Sequence, residues 1–271
     1  MPFLEPATEA LREIIASARD LVFFGGAGVS TESGIPDFRS AGGLYAAQHS
    51  YGAPPEDILS IQFFEDSPEV FFDYYVHQVL HPDAQPNAAH RALARLEDEG
   101  RLRAVVTQNI DGLHQLAGSR TVHELHGSVR RNSCRECGEP HDVAASVAGA
   151  ASPGGVPRCR RCGGVVRPDV VLYGEMLDDD VVAAAVDAIR AADVLIVGGT
   201  SLVVYPAAGL VHYYRGDRLV LINRDPTPYD ELAHLVLRAP IGQALGSAVL
   251  GDGSAGHRSP RPTHARPRPP G

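Results

Sequence analysis

The chain has 271 residues, 44% of them hydrophobic, and a formal net charge of −9. That length suits one large domain, or one domain carrying a small insert, built on a real core. The acidic balance excludes a surface that as a whole attracts nucleic acid or anionic membrane. No lysine occurs, so all 24 basic residues are arginine, and neither a Walker A lysine nor a Schiff-base lysine can operate. No run of about 18 apolar residues marks a membrane span. Met1 to Glu5 lacks the basic start and apolar core of a signal peptide, so a cytoplasmic enzyme is expected.

Residues 7–20 carry Ala10, Leu11, Ile14, Ile15 and Ala18 at helical spacing. Leu21 to Phe24 is a short apolar run of the buried-strand type. It leads into Gly25-Gly26-Ala27-Gly28-Val29-Ser30-Thr31 and a stretch ending in Ile35-Pro36-Asp37-Phe38-Arg39. Glycines let the backbone approach a ligand, and N–H groups exposed in such a turn suit phosphate oxygens. The dinucleotide fingerprint is incomplete, because Thr31 stands where a third glycine belongs. On its own the turn fits a nucleotide loop or an ordinary strand-to-helix turn.

Pro68 starts a helix running to Leu80, rich in Phe71, Phe72, Tyr74 and Tyr75, which fits core packing or a lid over the glycine turn. Asn87 caps a helix over 88–99, and Gly100 ends it. Leu102 to Thr107 reads as a second buried strand with Gln108-Asn109-Ile110-Asp111 at its carboxyl end, where open α/β sheets bind ligands. Thr121 to Glu124 is a short strand running into Leu125-His126-Gly127. A histidine at such a strand end can serve as general base near neutral pH.

Further strands are expected at 170–175, 194–197, 219–222 and 235–237, and helices at 178–191 and 240–249. Gly199-Thr200-Ser201 and Asn223 supply two more polar strand ends. Short apolar strands alternating with helices predict an α/β fold, a mainly parallel sheet covered on both faces. From Gly251 onward proline, arginine, serine and glycine dominate, and disorder is expected.

Cys134-x2-Cys137 and Cys159-x2-Cys162 are the chain's only cysteines. The spacing is that of one tetrahedral Zn2+, and four sulfur ligands leave no position for water, so the zinc is structural. The intervening 144–155 is small and glycine-rich, and arginines cluster at 130, 131, 135, 158, 160, 161 and 167. A zinc-ribbon nucleic-acid-binding module is therefore an alternative of another class. His123 and His126 are three apart, not the four of a zincin helix, and no Gly-x-Ser-x-Gly is present.

Several of these stretches together resemble the sirtuin family, in its bacterial form. They are Gly26 to Ser30, Ser33 to Arg39, Thr107 to His114, His126-Gly127, the cysteine pairs, Val171 to Glu175, Gly199 to Leu202 and Val220 to Asn223. The resemblance implies a Rossmann-like NAD-binding domain from 1–127 and 168–250, with 40–82 as a helical cofactor-loop or lid segment. It implies a zinc-binding insert at 128–167 and leaves 251–271 as a disordered tail.

The activity implied is NAD-dependent removal of acyl groups from protein lysines, releasing nicotinamide and O-acyl-ADP-ribose. His126 matches the general base. Gln108, Asn109 and Asp111 match catalytic positions that also hold nicotinamide and ribose, with Ile110 beside them. Gly26, Ala27, Gly28, Ser30, Thr31, Ile35, Asp37, Phe38 and Arg39 match the cofactor loop, and Gly199, Thr200, Ser201 and Asn223 the adenosine side. Val171, Tyr173, Gly174 and Glu175 match the loop against which a substrate backbone adds as a strand.

Gly25 replaces the family's usual threonine and should loosen the turn, and Leu172-Tyr173 replaces a commoner Phe-Phe. Sirtuins that prefer succinyl or malonyl lysine carry Tyr-x-x-Arg in the aromatic helix. Phe72 and Tyr75 stand at the corresponding positions, with no arginine between Phe71 and Leu80. Acetyl and longer apolar acyl groups are the expected substrates, since a charged one would be buried unpaired. The partners expected are acylated-lysine proteins, not nucleic acid or membrane. An ADP-ribosyltransferase or NAD hydrolase on the same fold is the alternative within the class.

Overall fold

The computed structural model describes residues 4–37, 51–150 and 155–251. Phe38, Arg39, residues 40–50 of the expected lid segment and all but the first residue of the expected tail lie outside these ranges. The strands are β1 (Leu21–Gly25), β2 (Leu102–Thr107), β3 (Val122–Glu124), β4 (Gly127–Cys134), β5 (Pro140–His141), β6 (Val166–Val170), β7 (Val194–Gly198), β8 (Leu219–Ile222) and β9 (Leu235–Leu237).

Six of them form a wholly parallel sheet in the order β3-β2-β1-β7-β8-β9. The order reverses between β1 and β7, so the crevice outside their carboxyl ends is the topological switch of a doubly wound sheet. Both faces are covered, which is why β1 and β7 read as unbroken apolar runs. Leu21 and Phe23 face one layer with Leu11, Leu93, Leu96 and Leu245. Val22 and Phe24 face the other with Ala185, Ile189, Leu210 and Val211.

A second, antiparallel sheet has the order β5-β4-β6 and leaves the parallel sheet immediately after His126. The aromatic segment packs here. Phe64, Phe71, Phe72, Tyr74 and Tyr75 share one buried cluster with Val129 of β4 and Val170 of β6. Phe71 meets Phe64 and Phe72 edge-on, at centroid distances of 5.0 and 5.4 Å.

Several sequence expectations move. The first helix is Leu4–Ser17 rather than 7–20. The strand expected over 170–175 is instead β6, Val166–Val170, with Pro168 inside it opposite Asn132. A register shift between Ser128 and Asn132 accommodates that proline. Beyond Val170 the chain turns, with Gly174 at φ +89° and Glu175 N–H donating to Leu172 O at 3.0 Å. The small-residue stretch after Cys137 contains a helix, Val143–Ala150. Pro68–Tyr74 is helical and Tyr75–Val79 continues it as a wider π turn. No helix among the described residues is long and apolar enough to cross a membrane.

Candidate active site

The glycine turn and the loop after β7 interlock at the switch. Gly26 N–H donates to Gly198 O at 3.3 Å and Gly28 N–H to Gly199 O at 2.8 Å. A Cβ on Gly28 would lie 2.8 Å from Gly199 Cα, and one on Gly26 would lie 2.8 Å from Thr200 Cβ. The close approach these glycines permit is therefore to the chain's own loop after β7. Gly25 is not part of a loosened turn. It is the last residue of β1, and a Cβ there would sit 2.6 Å from the Phe23 ring. The ring takes the room a side chain would need.

Side chains from two loops meet above the interlock. Ser30 is buried, and its hydroxyl donates to Asp111 Oδ2 at 2.6 Å while accepting from Asn109 Nδ2 at 3.1 Å. Asp111 Oδ1 accepts from Leu113 N–H at 2.8 Å, and Gln108 Nε2 donates to Thr200 Oγ1 at 3.3 Å. Burial pushes the Asp111 carboxyl up from its ordinary value, against the Ser30 and Leu113 hydrogen bonds and the charge of Arg130.

His126 Nδ1 lies 2.9 Å from Gln108 O. A carbonyl can only accept, so this contact puts the proton on Nδ1 and leaves the Nε2 lone pair free. Nε2 makes no hydrogen bond among the described residues. Burial lowers the pKa of this imidazole and the Gln108 contact partly opposes it, so the ring is neutral at pH 7.

Other expected positions lie around this cluster. Thr31 Oγ1 donates to Gly28 O at 3.0 Å, and Ile35 N–H to Ser30 O at 3.2 Å. Ala27, Ile110 and Asp37 are half-buried, and Ser201 is exposed. Asn223 follows β8 and donates from Nδ2 to Asp225 O at 2.9 Å. Phe38 and Arg39 lie outside the described residues. Val171 N–H donates to His126 O at 2.9 Å, which sets the start of the 171–175 loop beside the imidazole. Tyr173 pairs with the segment before the aromatic cluster: Ile61 N–H donates to Tyr173 O at 2.9 Å, and Tyr173 N–H to Leu59 O at 3.0 Å.

Asn87 has a second task that the sequence reading missed. Its Oδ1 caps the helix Ala88–Asp98 by accepting from Ala89 N–H at 2.9 Å. Its Nδ2 holds the glycine turn, donating to Val29 O at 2.7 Å and Ser33 Oγ at 3.0 Å. An amide accepts at its oxygen and donates from its nitrogen at the same time, so one side chain does both tasks. Glu32 was missed too. Its Oε2 accepts from Gly242 N–H at 2.6 Å, tying the turn to the closing helix.

The four cysteine Sγ atoms lie within 4.8 Å of one another, with neighbouring pairs at 3.4, 3.8 and 3.4 Å. Tetrahedral zinc at a Zn–S distance of about 2.3 Å needs sulfurs about 3.8 Å apart. Each Cys-x2-Cys ends in a glycine with positive φ, Gly138 and Gly163, whose N–H donates back to the first cysteine's carbonyl. Backbone N–H groups of Arg161 and Gly164 also point at Sγ of Cys159 and Cys162, each at 3.4 Å. The donor set fits one structural zinc. The donor set at the switch is one carboxylate, two amides, two hydroxyls and an imidazole. It fits a long ligand carrying ribose hydroxyls and an amide, such as NAD.

Residues 26–206 match the model of the Sir2 family. A Clostridium acetobutylicum NAD-dependent protein deacetylase is 53% identical over 88% of this chain and 96% of its own length. One from Cutibacterium acnes is 54% identical over 88% and 96%. A solved structure of Sir2 bound to acetylated peptide superimposes with a TM-score of 0.76 at 36% identity, covering 88% of this chain and 95% of that one. Another, of Sir2 with a peptide and NAD+, gives 0.78 at 37% identity over 88% and 95%. The chain belongs to the Sir2 family.

Proposed function

We propose that this protein is an NAD-dependent protein-lysine deacetylase that also accepts longer apolar acyl groups. The observation that carries the reading is the pairing of Ser30, Asn109 and Asp111 at the sheet switch with a neutral His126 beside them. Bound NAD supplies an electrophilic ribose carbon from which nicotinamide departs. Asp111, Asn109 and Gln108 bind and orient the nicotinamide and its ribose. His126 Nε2 accepts the proton of a ribose hydroxyl, with Nδ1–H anchored on Gln108 O. Gly199, Thr200, Ser201 and Asn223 hold the adenosine end, as the crevice between β1 and β7 suits.

The loop Val171 to Glu175 receives the substrate backbone, and Tyr173 and Gly174 are exposed there. Phe72 and Tyr75 are buried among Val170 and Leu172, an apolar setting that supports an apolar acyl preference. The four cysteines, Cys134, Cys137, Cys159 and Cys162, hold the zinc. The metal keeps its sulfurs reduced, and this together with a need for NAD fits a cytoplasmic enzyme acting on acylated proteins.

The test is nicotinamide release from NAD by the purified protein, with and without acetylated peptide. Peptide-dependent release is expected. Release that needs no peptide would favour the hydrolase instead, and faster desuccinylation than deacetylation would overturn the acyl preference.

A further inference from the structure

We propose that two arginines on the antiparallel sheet, Arg130 of β4 and Arg167 of β6, are positioning residues that set the two halves of the site separately. Arg130 positions the NAD-binding loop and Arg167 positions the substrate loop. The proposal rests on the deacetylase reading.

The loop from Gln108 to Gly112 lies along the start of the antiparallel sheet and is held by its carbonyls. Gln108 O faces His126 Nδ1, and Ile110 O accepts from Val129 N–H, each at 2.9 Å. Asp111 O accepts from Arg130 Nε, also at 2.9 Å. The third contact is made by a long side chain, so it can be removed without altering the backbone ladder. The Arg130 stem lies on Gly112, where a Cβ would come within 2.5 Å of Arg130 Cδ and where φ is +72°. The same residue that presents its carbonyl to Arg130 presents its carboxylate to Ser30. A shift of one displaces the other.

Arg167 acts on the other loop. Its guanidinium grips Glu175 with two bonds, 3.0 and 2.8 Å, and donates to Val170 O at 2.8 Å. Glu175 Oε2 in turn accepts from Leu172 N–H at 2.8 Å, which closes the turn that exposes Tyr173 and Gly174. Burial alone would raise the Glu175 carboxyl, but Arg167 and the Leu172 N–H outweigh it and hold it below its ordinary value. The Arg167 side chain is 14% exposed, so this pair is well shielded. Arg167 and Arg135 both lie over the Phe64 ring, at 5.6 and 5.4 Å, and Arg135 follows the zinc ligand Cys134. Phe64 thus joins the zinc end of the sheet to the substrate loop.

The fork geometry explains why arginine stands at 167. A lysine would keep the charge and lose the two-point grip. Neither arginine reaches the reacting atoms. Each acts through another group, so each should move one Michaelis constant and spare the other.

Steady-state kinetics on Arg130→Leu and Arg167→Leu, varying NAD and acetylated peptide in turn, tests this. Losing a charge-assisted hydrogen bond should raise the KM for NAD about tenfold in Arg130→Leu, with the peptide KM within about twofold of wild type. Arg167→Leu should do the reverse by a similar factor. Arg167→Lys, which keeps the stem and the charge, should fold even if the leucine variant does not, and its peptide KM should fall between the two. Arg130→Lys serves likewise for the NAD KM. Both constants moving together, or neither moving, in variants with wild-type circular dichroism would overturn the proposal. A wild-type protein without peptide-dependent nicotinamide release would instead sink the deacetylase reading, and the proposal with it.

Discussion

In the parallel sheet, β1 and β7 are buried at every position, and two apolar layers close over them. Among the described residues, the antiparallel sheet has no such cover at its far end. There the buried cluster is Cys134, Cys159 and Val166, with Cys137 against it. One region is held by apolar area removed from water, the other by four cysteine sulfurs whose spacing fits one zinc. A small unit with so little apolar surface to bury needs a metal or cross-links to fold. Yet the small sheet supplies the contacts that shape both site loops. The region with the weaker core of its own does much of the positioning.

Four perturbations test that contrast, the largest first. Stripping the zinc, or Cys134→Ser, should unfold the antiparallel sheet, because structural zinc contributes on the order of 10 kcal/mol to such units. Activity should vanish with it, while far-UV circular dichroism should retain the signal of the parallel sheet and its helices. Full activity in protein shown to be metal-free would break the comparison.

Replacing His126 should act on chemistry and leave both regions folded. His126→Ala is expected to lower kcat by about 10²- to 10⁴-fold with an unchanged melting temperature. Because burial lowers the imidazole pKa, wild-type activity should hold as pH falls to 6.5 and decline only below it.

Asn87→Ala should cost about 1–3 kcal/mol, from a lost helix cap and an unpaired Val29 carbonyl, and should weaken NAD binding. Asn87→Asp keeps the cap acceptor and loses the donor. Chemical denaturation should find it more stable than the alanine variant, while calorimetry should find NAD binding still weakened. Equal NAD affinity in wild type and Asn87→Asp would remove the second task assigned to the amide.

The last test lies in the parallel region's core. His90 and His114 are both buried, with ring centroids 4.7 Å apart. His90 Nε2 and both nitrogens of His114 lack a hydrogen-bond partner among the described residues. Burial, with Arg91 adding, lowers His90 to about 4, and burial holds His114 well below its ordinary value. Both are neutral in the fold and take up a proton when unfolded below pH 6.5. Stability should therefore be complete above that pH and fall as pH drops from 6.5 toward 4, by about 1.4 kcal/mol per pH unit per histidine. Thermal melts across that window check it. A His90→Gln variant should show a shallower slope, and an unchanged slope would mean that other groups set the acid limit.

Much of this architecture could be read along the chain. Strand runs such as Val194–Gly198 are apolar at successive positions because both faces of the sheet are covered, and that pattern is local. The cysteine spacing is equally local, as is the Asn87 cap. The sequence misplaced β6, because Val166-Arg167-Pro168-Asp169-Val170 mixes charge and proline in a way that only pairing with β4 rationalises. It identified Ser30 and Asp111 as separate motif members, 81 residues apart, without revealing that they share a hydrogen bond.

What the sequence by itself determined is therefore what neighbouring residues encode: strands, caps, metal spacing and family motifs. Tertiary structure alone decided the rest. It set the Gly28–Gly199 interlock, the two faces of the Asn87 amide, the buried histidine pair and the grips of Arg130 and Arg167. Each depends on atoms distant in sequence meeting within a hydrogen bond's length. An arginine has no periodicity that says which acceptor it will find, and only the closure of one sheet against the other makes that choice.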